Sequence, residues 1–187
     1  GTIYYQGATS GGTSTATVAS SQLITTSGTY YFRAQSSAGC WGNEGSAAVT
    51  VHPLPSVYTL TGGGSYCAGG TGVAIGLNNS AVGINYELYR GSVPTGIILP
   101  GTGSSLNFGM QTIVGSYTII ATDAVTACTS NMSGSAAIII KPLPAVYTVT
   151  GGGSYCSGDA GVHIGLTASN NGVNYQLYRG GTPVGSA

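Results

Sequence analysis

Residues 53–96 read PLPSVYTLTGGGSYCAGGTGVAIGLNNSAVGINYELYRGSVPTG, and residues 142–185 read PLPAVYTVTGGGSYCSGDAGVHIGLTASNNGVNYQLYRGGTPVG. The offset is 89 residues without a gap, and 29 of 44 positions are identical. Self-similarity at a fixed period marks a modular array. The period divides the chain into residues 1–52, the C-terminal part of a unit; residues 53–141, one complete unit; and residues 142–187, the N-terminal part of a further unit. This phasing predicts a window from a longer tandem protein. An alternative is that half-units of neighbouring molecules complete one another, as in strand-donation fibres.

Within the complete unit, short runs rich in Val, Ile, Tyr and Thr alternate with Gly, Ser and Asn clusters, the pattern of an all-β fold. Strands are predicted near Val57–Thr61, Gly72–Leu77, Ile84–Arg90, Ser105–Phe108, Gly115–Thr122 and Ser135–Ile140. In Ile84–Arg90, Tyr86 and Leu88 share one face, while Asn85, Glu87 and Tyr89 share the other. That alternation is the period of a half-buried strand. No stretch carries a sustained helical period. Several short strands in a unit of this size predict a two-sheet sandwich. Between units stands Pro-Leu-Pro, as Pro53 and Pro55 at one joint and Pro142 and Pro144 at the other. Each proline fixes its own φ and biases the preceding residue to an extended conformation, so the joints are short and stiff. Stiff joints between like units predict a rod.

Charge is sparse. Lys and Arg number four, Asp and Glu four, and the net charge is zero. No basic cluster is present for nucleic acid or anionic lipid. No apolar run approaches the ~20 residues of a membrane span. The expected partners are neighbouring repeats or identical subunits in a fibre, with surface glycans as a further class. Nucleic acid and membrane insertion are not expected.

The cysteines are Cys40, Cys67, Cys128 and Cys156. The repeat leaves two pairings. Either Cys67 bonds Cys128 inside the complete unit, with Cys40 and Cys156 bonded beyond the chain's ends, or Cys40–Cys67 and Cys128–Cys156 staple neighbours across each joint. The first is favoured, because both positions can meet at one pole of a sandwich. Closing such a loop stabilises by about 4 kcal/mol in the chain-entropy estimate. No CxxC pair suggests a metal.

Other motifs point to scaffold. Gly62-Gly63-Gly64 lacks the lysine and helix of a phosphate loop and reads as an irregular turn. His163 stands where the sister copy has Ala74, and Asp159 where it has Gly70. Asp123 and Asp159 are isolated carboxylates, too few for calcium. Asn78-Asn79-Ser80 and Asn131-Met132-Ser133 match the glycosylation pattern. Tyr58, Tyr66, Tyr86 and Tyr89 recur as Tyr147, Tyr155, Tyr175 and Tyr178, a candidate sugar-stacking set. No catalytic arrangement or cofactor motif is present, so no enzyme is expected.

The segments GSYCAGGTGVAIGL, GINYELYRG and the Pro-Leu-Pro joint resemble the Ig-like repeats of very large secreted surface proteins of Bacteroidota, gliding-motility adhesins among them. Residues 1–52 resemble a related module. The resemblance implies an Ig-like sandwich, a disulfide between the C-A-G-G cysteine and the late cysteine, type IX secretion and cell-surface display. Two departures from the antibody pattern stand out. Trp41 follows Cys40 instead of lying on a central strand, and the tyrosine-corner spacing is not met. The expected function is a structural and adhesive repeat module of an extracellular adhesin, stalk or filament, with a carbohydrate-binding module as the alternative.

Overall fold

The computed structural model describes residues 1–186, all-β and without a helix among them. Residues 1–52 hold β1 (Thr2–Tyr5), β2 (Gly28–Gln35) and β3 (Trp41–Val49), an antiparallel sheet in that order. The complete unit holds β4 (Leu60–Gly62), β5 (Gly64–Cys67), β6 (Val73–Leu77), β7 (Ile84–Arg90) and β8 (Val93–Pro100). It continues through β9 (Leu106–Gln111), β10 (Gly115–Asp123), β11 (Thr129–Asn131) and β12 (Ala136–Lys141). The last segment has β13 (Val149–Gly151), β14 (Ile164–Leu166), β15 (Leu177–Arg179) and β16 (Thr182–Val184).

The complete unit is a β-sandwich. One sheet has the order β4-β6-β9; the other has β5-β12-β10-β7-β8, with β11 also on β10. Its core draws on both sheets: Ile75 and Leu77 from β6, Leu106 and Phe108 from β9, Tyr86 and Leu88 from β7, and Tyr117 and Ile119 from β10. The alternation read in Ile84–Arg90 is observed. Ile84, Tyr86 and Leu88 are buried and Asn85 is exposed, as a pleated strand with one wet face requires.

The three glycines do more than turn. They carry the chain from β4 in one sheet to β5 in the other. Gly62 has φ +87°, and a Cβ there would lie 2.1 Å from the Ala74 carbonyl oxygen. Only glycine combines left-handed backbone with such an approach. β5 then pairs in parallel with β12, placing Cys67 opposite Lys141.

The six predicted strand regions all contain strands, and three further strands appear. β8 was obscured by Pro94, Gly96 and Pro100; it lies at a sheet edge, where a missing donor is tolerated. Tyr117, early in β10, donates its hydroxyl to the Ile113 carbonyl at 2.8 Å. Residue 119, two further on, is isoleucine and not cysteine, so the expected departure from the antibody spacing stands. Tyr30 in β2 does the same, donating to the Thr26 carbonyl at 3.0 Å.

Candidate functional site at the unit ends

The strand registers give the sandwich two poles. At the exit pole, Lys141 leaves beside Cys67, and the Tyr66 hydroxyl donates to the Thr112 carbonyl. At the entry pole, the Asp123 N–H donates to the Cys128 carbonyl at 2.9 Å, with His52 of the joint near Asp123. The nine residues of β10 separate these levels, roughly 30 Å at about 3.3 Å per residue. A disulfide needs Cα atoms about 4.4–6.8 Å apart.

The Cys67–Cys128 bond is therefore absent for a geometric reason: parallel pairing of β5 with β12 sends the two cysteines to opposite poles. Cys40–Cys67 and Cys128–Cys156 are not formed within the chain either, and all four thiols are free. Cys40, Cys67 and Cys156 are exposed and Cys128 is partly so. Bonds from Cys40 and Cys156 to residues beyond the chain lie outside the described residues.

The entry pole is a built turn. Asp123 Oδ1 accepts from the N–H groups of Thr126 at 2.8 Å and Val125 at 2.9 Å. These bonds, with His52 of the preceding joint nearby, hold the Asp123 carboxyl below its ordinary value. Ala127, in the same turn, adopts φ 59°, a left-handed conformation uncommon for a residue with a side chain. In the joints, Pro55 is buried while Pro53, Pro142 and Pro144 are exposed. The proline entering the complete sandwich is seated; the one entering the last segment is not.

In the complete unit the candidate sugar-stacking tyrosines do not form one exposed face, whereas in the last segment Tyr155 and Tyr178 are exposed and Tyr147 and Tyr175 half-buried. Tyr86 is fully buried, and Tyr58 and Tyr66 pack against the core. Tyr89 is half-buried and donates its hydroxyl to Glu87 at 3.1 Å. A cleft of about 300 Å³ beside Arg90 and Tyr117 is lined mainly by Val93, Pro94, Ile97 and Ile113.

The remaining motif residues serve local structure or stand exposed. His52 and His163 are exposed. Asp159 accepts from the Cys156 N–H at 3.1 Å. Asn78 accepts from the Thr59 N–H at 2.9 Å, and Ser80 is buried, donating to the Ser104 carbonyl at 2.6 Å. In the second glycosylation pattern, Asn131 is exposed while Met132 is buried. Among the described residues no group of three or more His, Cys, Asp or Glu side chains gathers.

The end segments expose positions that the complete unit buries. Ile75 and Leu77 are 0% exposed in the complete unit, whereas their counterparts Ile164 and Leu166 are 54% and 38% exposed. They line an open groove of about 690 Å³ with Val149, Tyr175 and Leu177. In the first segment, Tyr5 stacks on Tyr30 and tilts against Phe32, with ring centroids 6.2 and 5.3 Å apart. The repeat itself was the available signal: each half-unit carries half of the core pattern. No known family model matches the chain, and neither does any curated protein.

Proposed function

We propose that this chain is a structural and adhesive segment of an extracellular surface appendage, built from tandem Ig-like sandwich units arranged as a rod. One observation carries the reading: the complete sandwich is entered at one pole, beside Cys128, and left at the other, beside Cys67. A unit with termini at opposite poles adds its whole length to a series. The near absence of charge and the stiff proline joints suit a packed scaffold better than a catalytic one. The Ig-like assignment draws support from the paired sheets, the strand that switches between them, and the Tyr117 corner. Placement outside the cell, adhesion and type IX export draw on the resemblance to Bacteroidota surface repeats. Small-angle scattering from the intact chain tests the shape: an elongated profile is expected, and a compact one overturns the rod. Antibodies raised against the chain test the location by labelling intact source cells; labelling only after lysis overturns it.

A further inference from the structure

We propose that the cleft beside Arg90 is a binding site for a small amphipathic acid, a carboxylate carried on a short apolar body. The inference goes beyond the structural role proposed above and lies wholly within the complete unit.

A charge continues an apolar row. Ile84, Tyr86 and Leu88 are the core-facing residues of β7, and Arg90 is the next position on that face. It stands opposite Tyr117 of β10, whose side chain is buried. The arginine stem passes close over Gly115: a Cβ there would lie 2.8 Å from Arg90 Cγ and 3.0 Å from Cδ. Glycine at 115 leaves the space that the stem fills, and Arg90 rests half-buried at the end of the core.

The fold does not use this charge. Arg33 shows the contrast: its guanidinium donates to the carbonyls of Gly11, Gly12 and Gly42 and lies over the Trp41 ring. Among the described residues the Arg90 guanidinium has no such acceptor and no ion-pair partner. Glu87, the carboxylate nearest in sequence, is on the opposite face of β7 and accepts from the Tyr89 hydroxyl at 3.1 Å.

The surroundings of the charge are apolar. β8 ends one sheet and β9 ends the other, and the cleft lies between these two edges. Val93, Pro94 and Ile97 line it from β8; Ile113 and the half-buried Gln111 line it from the other side. Gln111 Nε2 donates one N–H to the Phe108 carbonyl at 2.9 Å and keeps a second. A free guanidinium beside a spare amide donor and apolar walls suits a carboxylate with an apolar tail, since the guanidinium can bind it through two parallel N–H···O bonds. The volume, about 300 Å³, is at the low end for ligand pockets and selects a short acid. A sugar acid would set its hydroxyls against Val93 and Ile113. An added peptide strand finds few donors, because Pro94 and Pro100 lack N–H groups and the β7–β8 register slips between Glu87 and Tyr89. The second copy of the repeat keeps Arg179 and Pro183 but has Thr182 and Ser186 in place of Val93 and Ile97. The apolar walls therefore belong to the complete unit.

Hexanoate is the probe. In a magnetic-resonance titration of the intact, isotope-labelled chain, it should give saturable shifts at the Ile97, Ile113 and Gly115 amides. Hexanamide has the same body without the charge, and acetate has the charge without the body. Each should bind more weakly by about tenfold or more. Arg90→Gln should weaken hexanoate by a similar factor while unfolding near the parent temperature. Ile97→Ser, which copies the second repeat, should also weaken it. The hexanoate and hexanamide comparison on the unaltered chain decides the matter even where Arg90→Gln fails to fold. Equal binding of those two, shifts centred away from the cleft, or full affinity in Arg90→Gln would each overturn the proposal. Tighter binding of glucuronate would make this a sugar-acid site, and tighter binding of the free-acid tripeptide Val-Val-Ile would make it a chain-end site; either overturns the small apolar acid. None of these outcomes alters the scattering profile, which tests the rod separately.

Discussion

The Tyr86 phenol oxygen accepts a hydrogen bond from the Ala81 N–H at 2.9 Å, from a side chain fully buried in the core. Tyr175 accepts from the Asn170 N–H at the same distance, across the repeat. The contact survives replacement of Ala81 by Asn170 because it uses backbone. Burial raises the Tyr86 pKa, keeping the ring neutral. Tyr86→Phe removes the acceptor and leaves the Ala81 N–H without it. A loss of about 1–3 kcal/mol is expected in urea unfolding; no change would show that water replaces the phenol.

The repeat allows one substitution to be made in two settings. Ile75→Ala opens a cavity in a closed core and should cost about 2–5 kcal/mol. Ile164→Ala, on an uncovered face, should lie within about 0.5 kcal/mol of the parent in the dilute monomer. Equal losses in denaturant titrations would show that the last segment is covered in the monomer.

Gly62→Ala should destabilise the complete unit by more than the ~1 kcal/mol of ordinary strained turns. The added methyl meets the Ala74 carbonyl oxygen, and the backbone stays at positive φ. Gly83→Ala, also at positive φ but with nothing within 4 Å, should cost less. Thermal unfolding of the pair separates steric contact from backbone strain.

Acid should weaken the fold through two turns. The Asp123 carboxyl lies below its ordinary value because the Thr126 and Val125 N–H groups bind the anion. Glu44 is lowered by the Gly11 N–H and the Ser10 hydroxyl, with Arg33 adding to the effect. Both carboxyls bind protons less readily when folded. Their contribution is present above the ordinary values near 3.8 and 4.5 and is lost as pH falls through the lower folded values. Urea midpoints should fall below about pH 4, and less steeply in Asp123→Asn. Equal slopes would exclude the Asp123 turn as a source.

The strongest strands were legible because their burial is one-sided. Ile84–Arg90 and Gly115–Thr122 alternate along their length. The edge strand Val93–Pro100 was not, since its prolines argue against pairing unless an edge is known. The cysteine pairing failed for another reason. Sequence separation says how long a loop is, not at which pole it closes. That was decided by β5 lying parallel to β12, after three glycines that read as a simple turn. The uncovered faces of the end segments were implicit in the repeat, but exposure of Ile164 becomes visible only beside a buried Ile75.

The parallel ladder between β5 and β12 has a mechanical consequence. Ile138, Ile139, Ile140 and Lys141 face Gly64, Ser65, Tyr66 and Cys67 in register. Tension applied through the two joints draws these strands past each other along their axes. Their hydrogen bonds are then strained together in shear, rather than one by one as in an unzipping hairpin. Forced unfolding is governed by the height of that barrier and not by equilibrium stability. A unit of modest thermodynamic stability can thus act as a clamp under pull.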